Sequence, residues 1–246
     1  NLDRQLNLLK RMQAEQKTEE LQRRAEELAR KQDELRQRAE ETNPNDKDAN
    51  KRLADEQRRL EEELKRLAEE AKDLEKLMKE VGRDMPQDKM DQAQKDLDSE
   101  KTAEQMDQAS KDLEQGDRNE SSQRQQQASQ NLQRFAQQMK NMKREMRRNS
   151  QREAMRQMQK GINDLVELSK QQEALRDQMK GMDPNSSQFP QMAQRQQKLS
   201  EAMQNIANNM MQLGQKSMDV TPEMAQDLGD ALQGMRDAMQ SLSDRN

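Results

Sequence analysis

The sequence predicts an all-α fold: a long coiled-coil helical hairpin, then an extended helical section, then a C-terminal three-helix bundle. Three observations predict it. Apolar residues recur in alternating steps of four and three, the seam spacing of packed helices. Acid–base pairs stand four residues apart with the acid first, the order that stabilises a helix. Proline, glycine and capping residues sit where those patterns stop.

The hairpin occupies residues 1–83. Its second arm carries Leu53, Leu60, Leu64, Leu67, Ala71, Leu74, Met78 and Val81, with Gln57 interrupting the apolar series. Its first arm carries Leu21, Ala25, Leu28, Leu35 and Ala39, with Gln32 at the polar gap. Leu2, Leu6 and Leu9 follow a different register, so a phase change must fall between Arg11 and Thr18. Glu19–Arg23, Glu20–Arg24, Glu26–Arg30, Glu27–Lys31, Glu34–Arg38, Glu61–Lys65 and Glu62–Arg66 are spaced by four, acid first. Each such pair contributes about 0.2–0.5 kcal/mol in an isolated helix. Pro44, within Asn43-Pro44-Asn45-Asp46, cannot lie inside a helix and turns the chain. Helices over 2–42 and 48–82 follow, with arms of about 50–60 Å at 1.5 Å per residue.

Residues 84–150 form the middle section. Met90, Ala93, Leu97, Met106, Ala109 and Leu113 are its sparse apolar positions, with a turn at Asp98-Ser99 and Ser99 as N-cap. Gly116 ends that stretch, and Asp117 caps the next helix, with Glu120 placed as in a capping box. Ala128, Leu132, Phe135, Met139, Met142 and Met146 then form another seam. Residues 151–246 divide into three helices. The first, over 152–180, carries Met155, Met158, Ile162, Leu165, Leu175 and Met179. The second, over 190–213, starts at Pro190 and carries Met192, Leu199, Met203, Ile206, Met210 and Leu213. The third, over 222–243, follows Thr221 as N-cap and Pro222 as first helical residue. Similar lengths and short connections predict an antiparallel bundle.

Composition narrows the function. The 246 residues are 29% hydrophobic and 37% charged, with two Phe and no Tyr, Trp, Cys or His. A thick core normally draws on aromatics, so thin seams are expected. So few aliphatic residues also admit a chain that is disordered until it binds. Against this stand 20 Met, which add apolar volume, and a net charge of only −4. Without His or Cys the commonest general base, thiol nucleophile and soft metal ligands are gone. There is no phosphate-cradling glycine loop, and the many paired carboxylates lack the dry pocket that would separate their pKa values. The expectation is no enzyme, no cofactor, no metal and no small-molecule substrate. Asp46-Lys47-Asp48-Ala49-Asn50 imitates the start of a calcium loop, but Lys51 and Gln57 stand where Gly and Glu are required, so it reads as a polar turn and cap. Methionines on the seams read as core.

The charge is unevenly placed. Residues 84–117 hold eleven acids and four lysines, whereas residues 131–160 hold nine bases and only Glu145 and Glu153. Either the acidic segment packs beside the basic helix and offsets it, or that helix binds anionic lipid or nucleic acid through residues such as Arg144, Arg147 and Arg148. The chain's acidic balance and want of aromatics for base stacking disfavour nucleic acid.

Several runs, in this order along the chain, resemble the C-terminal helical region of a family of large membrane-anchored bacterial envelope proteins, domain of unknown function 4175. They are Glu15 to Leu21 (EQKTEEL), Gln172 to Asp177 (QEALRD), Ala193 to Leu199 (AQRQQKL), and Thr221-Pro222-Glu223 with Leu228 to Leu232 (LGDAL). The resemblance implies an extracytoplasmic place in the bacterial cell envelope, downstream of membrane spans, and no known catalytic residues. No apolar run here approaches the roughly 20 residues of a span, so any membrane anchor is expected outside this sequence. The start at Asn1 fits a fragment. The sequence thus predicts a structural or scaffold region that binds a protein partner by helix–helix contacts, Leu60, Leu64, Leu67 and Leu74 forming the interacting seam. The alternative is a peripheral binder of anionic lipid or nucleic acid through the basic helix 131–160. Whether the seams close within one chain or in a homo-oligomer is open at this level.

Overall fold

The computed structural model describes residues 2–82, 85–180 and 188–216, with positions 230 and 233. These residues form six helices: α1 (Leu2–Glu41), α2 (Lys47–Val81), α3 (Gln87–Leu97), α4 (Ser99–Gln115), α5 (Arg118–Met179) and α6 (Phe189–Lys216). No strand occurs among the described residues. The protein is all-α. Contacts divide it into two compact units, Asn1–Asn149 and Ser150–Asn246. The expected hairpin over 1–83 and middle section over 84–150 are therefore one unit.

Helix ends follow local chemistry. Asp46 caps α2, its Oδ1 accepting from the Ala49 amide at 3.0 Å. Gly82, with φ 95°, ends α2, and its N–H reaches the Met78 carbonyl at 3.1 Å. Asp98, with φ 39°, separates α3 from α4. It occupies the N-cap that Ser99 was expected to fill, and Ser99 is the first residue of α4. A short polar side chain is among the few that tolerate this left-handed conformation. Asp117 accepts from the Glu120 amide at 3.3 Å, the half of the capping box that starts α5. The other half is not made, because the Asp117 amide donates to the Asp112 carbonyl at 2.8 Å instead.

The first unit is a bundle of four antiparallel rods: α1, α2, α3 with α4, and the start of α5. The ion pairs show the register of the hairpin. Arg24, Lys31 and Arg38 on α1 meet Glu70, Glu63 and Glu56 on α2, seven residues forward on one helix matching seven back on the other. Arg58 on α2 pairs with Glu114 on α4, and Arg124 on α5 with Asp112 on α4. Glu19 on α1 pairs with Lys143 on α5. Exposed pairs of this kind add little stability. They report alignment, while the buried stripes hold the rods together.

Those stripes keep the four-three step almost throughout. On α5 it runs Ser121, Gln125, Ala128, Leu132, Phe135, Met139, Met142 and Met146, all buried. On α1 its fully buried part begins at Ala14, the same step reaches back to the half-buried Arg11 and Asn7, and Leu6, Leu9 and Met12 lie off it and stay exposed, so the expected change of register does not carry a second buried seam. Ala29, Ala54, Ala68 and Ala136 are buried beside the stripes. These small residues widen each apolar face, so a helix can touch two neighbours at once. That is why the hairpin closes into a bundle.

One core layer is polar. Gln32 and Gln57 exchange hydrogen bonds of 2.7 and 3.0 Å, and Gln125 donates to the Gln57 Oε1 at 2.9 Å. All three side chains are fully buried. At one end of the bundle the two turns interlock. Asn50 Nδ2 donates to the Pro44 carbonyl at 2.8 Å, and Arg118 donates to Asn50 Oδ1. Gly116, with φ 82°, allows the approach, since a Cβ there would lie 2.5 Å from the Pro44 oxygen.

In the second unit α5 and α6 pair along Met158, Leu165 and Leu168 against Met203, Ile206 and Met210. Gly161 is buried on this seam, and a Cβ there would sit 3.1 Å from the Met210 sulfur. Three differences from expectation stand out. The break near residue 150 is absent, since α5 continues to Met179. Met155 and Ile162 are off the seam and exposed, at 66% and 43%, because Gly161 takes the place assigned to Ile162. Gly214 does not end α6, which runs to Lys216. Of the expected three-helix bundle, the first two helices lie in α5 and α6, and the helix over 222–243 lies, apart from positions 230 and 233, outside the described residues.

Gln57→Leu should destabilise the first unit, because it strands the amides of Gln32 and Gln125 at about 1–3 kcal/mol each. Replacing all three glutamines by Leu removes every orphan and should restore or exceed the starting stability. Urea unfolding followed by circular dichroism measures both.

Candidate functional site

The residues expected to form an interacting seam fall in two different environments. Leu60, Leu64, Leu67 and Leu74 are 4%, 0%, 2% and 0% exposed, inside the core of the first unit. Their seam faces the protein's own helices, so it offers nothing to a partner. This corrects the expectation, and the physical reason is that α4 and α5 supply the covering faces. Arg144, Arg147 and Arg148 are instead exposed on α5.

The acidic and basic runs do not simply offset each other. Acids of α4 pair with Arg58, Arg124 and Lys111, and Asp96 of α3 accepts from Gln92 and Gln138. Arg134 shares a groove with Asp96 and Asp98, and also with Lys95 and Lys101, so the two signs are mixed at that end. Further along α5 the neighbour is α1. There Arg23, Lys140, Lys143, Arg144 and Arg147 line a shallow groove with Glu19 as its one carboxylate. Lys143 reaches Glu19 at 2.7 Å. The other four cations make no ion pair among the described residues.

The field in this groove acts on Glu19. Hydrogen bonding and charge from Lys143, with the charges of Arg23 and Arg147, hold its carboxyl below the usual glutamate value. A depressed carboxylate contributes above its unfolded pKa, and the contribution is lost as pH falls through the folded value. The α1–α5 link at Glu19 therefore weakens only in acid.

The calcium-like segment is a turn and cap: Asp46 holds the start of α2 and Asn50 ties back to Pro44. Met78, Met90, Met106, Met139, Met142 and Met146 are at most 2% exposed, so in the first unit these seam methionines are core. Among the described residues no helix is long and apolar enough to cross a membrane.

The second unit also carries apolar surface. Met155, Ile162 and Val166 are exposed along one flank of α5, and Val166 is 51% exposed. On the opposite flank Leu168, Ala174, Leu175, Leu199 and Ala202 line a shallow apolar groove between α5 and α6. Sequence periodicity placed Met155 and Ile162 on the seam and passed over Val166. The readable signal was Gly161, which fits the four-three step between Met158 and Leu165 and shifts the seam by one residue.

Compared with family models, with curated proteins and with solved structures, the chain matches none.

Leu64→Ala should cost roughly 2–5 kcal/mol of stability, the range for emptying a closed core site. A loss near zero in urea unfolding would mean that Leu64 is not enclosed.

Proposed function

We propose that the protein is a non-enzymatic helical scaffold that holds a protein partner on the second unit. One observation carries this: Met155, Ile162 and Val166 are exposed on one flank of α5 while the adjacent seam is occupied by α6. Their spacing of seven and four residues suits an apolar stripe on a second helix. The occupant is therefore a partner protein's amphipathic helix, laid along α5 in the helix-in-groove manner. The first unit, with its seams closed internally, serves as the spacer. The resemblance to domain of unknown function 4175 supports a place on the extracytoplasmic side of the bacterial envelope.

A photo-activated cross-linker at position 162 of the full chain tests this in the native cell. The proposal expects adducts with a defined partner, mapped by mass spectrometry to one helical segment of it. Charge introduced by Val166→Asp should abolish those adducts without lowering helicity. Adducts confined to residues 217–246 of the same chain would overturn the proposal, since the stripe would then be internal core.

A further inference from the structure

The groove between α1 and α5 in the first unit is a second surface, independent of the helix-docking flank. Arg23, Lys140, Lys143, Arg144 and Arg147 surround it with Glu19 as the single carboxylate, on a chain whose net charge is −4. Concentrating positive charge in one place on an acidic protein creates a local field for anions. Lys143 is already held by Glu19, which leaves Arg23, Lys140, Arg144 and Arg147 for an external charge. The lowered carboxyl of Glu19 reports the same field.

A second feature selects among anions. On α1 the four-three step runs Leu9, Met12, Gln16, Glu19 and Arg23, so these residues share one helix face. Leu9 and Met12 are 57% and 51% exposed, beyond the start of the core stripe. Large apolar side chains beside a cluster of cations match a bilayer interface, where the cations meet headgroup phosphates and the apolar groups enter the acyl boundary. Nucleic acid would gain nothing from Leu9 and Met12. The first unit has no Trp or Tyr for stacking bases, and its one Phe, Phe135, is buried.

We propose that the α1–α5 face bearing Arg23, Lys140, Arg144 and Arg147, with Leu9 and Met12 beside it, binds the surface of an anionic phospholipid membrane. The expected basic site on the single helix 131–160 becomes a two-helix surface, in which Arg23 is the member that the α5 sequence could not supply.

The test is co-sedimentation of the full chain with vesicles of one part phosphatidylglycerol to two parts phosphatidylcholine. Binding should be strong at low salt and collapse between ~0.1 M and ~0.5 M salt. Joint Arg23→Gln, Arg144→Gln and Arg147→Gln should weaken it about 100-fold, at close to fivefold per charge near a membrane surface. Leu9→Ser with Met12→Ser should weaken it as well. Arg58→Gln, Lys65→Gln and Lys72→Gln, which remove as many charges from α2, should leave binding within a few-fold. All these residues are exposed, and thermal melts should confirm that each variant keeps its helicity. Equal binding to pure phosphatidylcholine, no binding at low salt, equal loss from the α2 variant, or preference for duplex DNA at the same salt would each overturn the proposal.

Discussion

The first unit depends on the narrowness of its apolar stripes. With 29% hydrophobic residues and hardly any aromatics, no helix here can bury a broad face. A narrow stripe excludes water well only when several converge. Four do so, and the buried alanines beside them let the rods come close enough to share one core. The core has little apolar bulk, so alignment matters as much as area. The Gln32–Gln57–Gln125 layer supplies alignment: a shift of one helix by a turn would bury amides against leucine and methionine. The same layer leaves Gln125 Oε1 without a partner, a local cost consistent with a polar layer kept for register.

Helix ends and stripe periods were legible because both are local. Pro44, Gly82, Gly116 and Asp117 act on their own turns, and the four-three step needs only one helix to be visible. What covers each stripe was not legible, because a stripe's period is the same whether its neighbour is α2, α4 or another chain. The clue lay in small residues next to the stripe, such as Ala29 and Ala136, which mark a helix with more than one neighbour. Gln125 was hidden in a glutamine-rich stretch, although stepping back from Ala128 by three reaches it. Gly161 misled in the opposite way. A glycine on a seam resembles a gap, and here it is the space filled by Met210.

Closure of the stripes changes where function can reside. The leucines of the α2 seam are enclosed, and the surface of the first unit is mainly charged, with Leu6, Leu9 and Met12 exposed near the start of α1. Paired charges dominate between α1, α2 and α4. The cluster between α1 and α5 stands apart, because the helix beside that end of α5 is α1, which brings only Glu19 into the groove. The second unit differs in kind: among its described residues two helices share one seam and leave aliphatic side chains on both flanks. The cationic groove of the first unit and the aliphatic flank of the second are the observations behind the two proposed occupants, a membrane face and a helix.

The most direct measurement concerns closure within one chain. The sequence has no cysteine, so Lys31→Cys and Glu63→Cys, at two positions whose native side-chain tips meet at 3.0 Å across α1 and α2, can be joined by a short bismaleimide. With both cysteines in one chain, closure within the chain predicts a cross-linked product of monomer mass, formed at a rate independent of protein concentration. Chains carrying one cysteine each, unfolded and refolded together, should give no cross-linked dimer. A dimer from that mixture would contradict the account and show that the stripes close between chains.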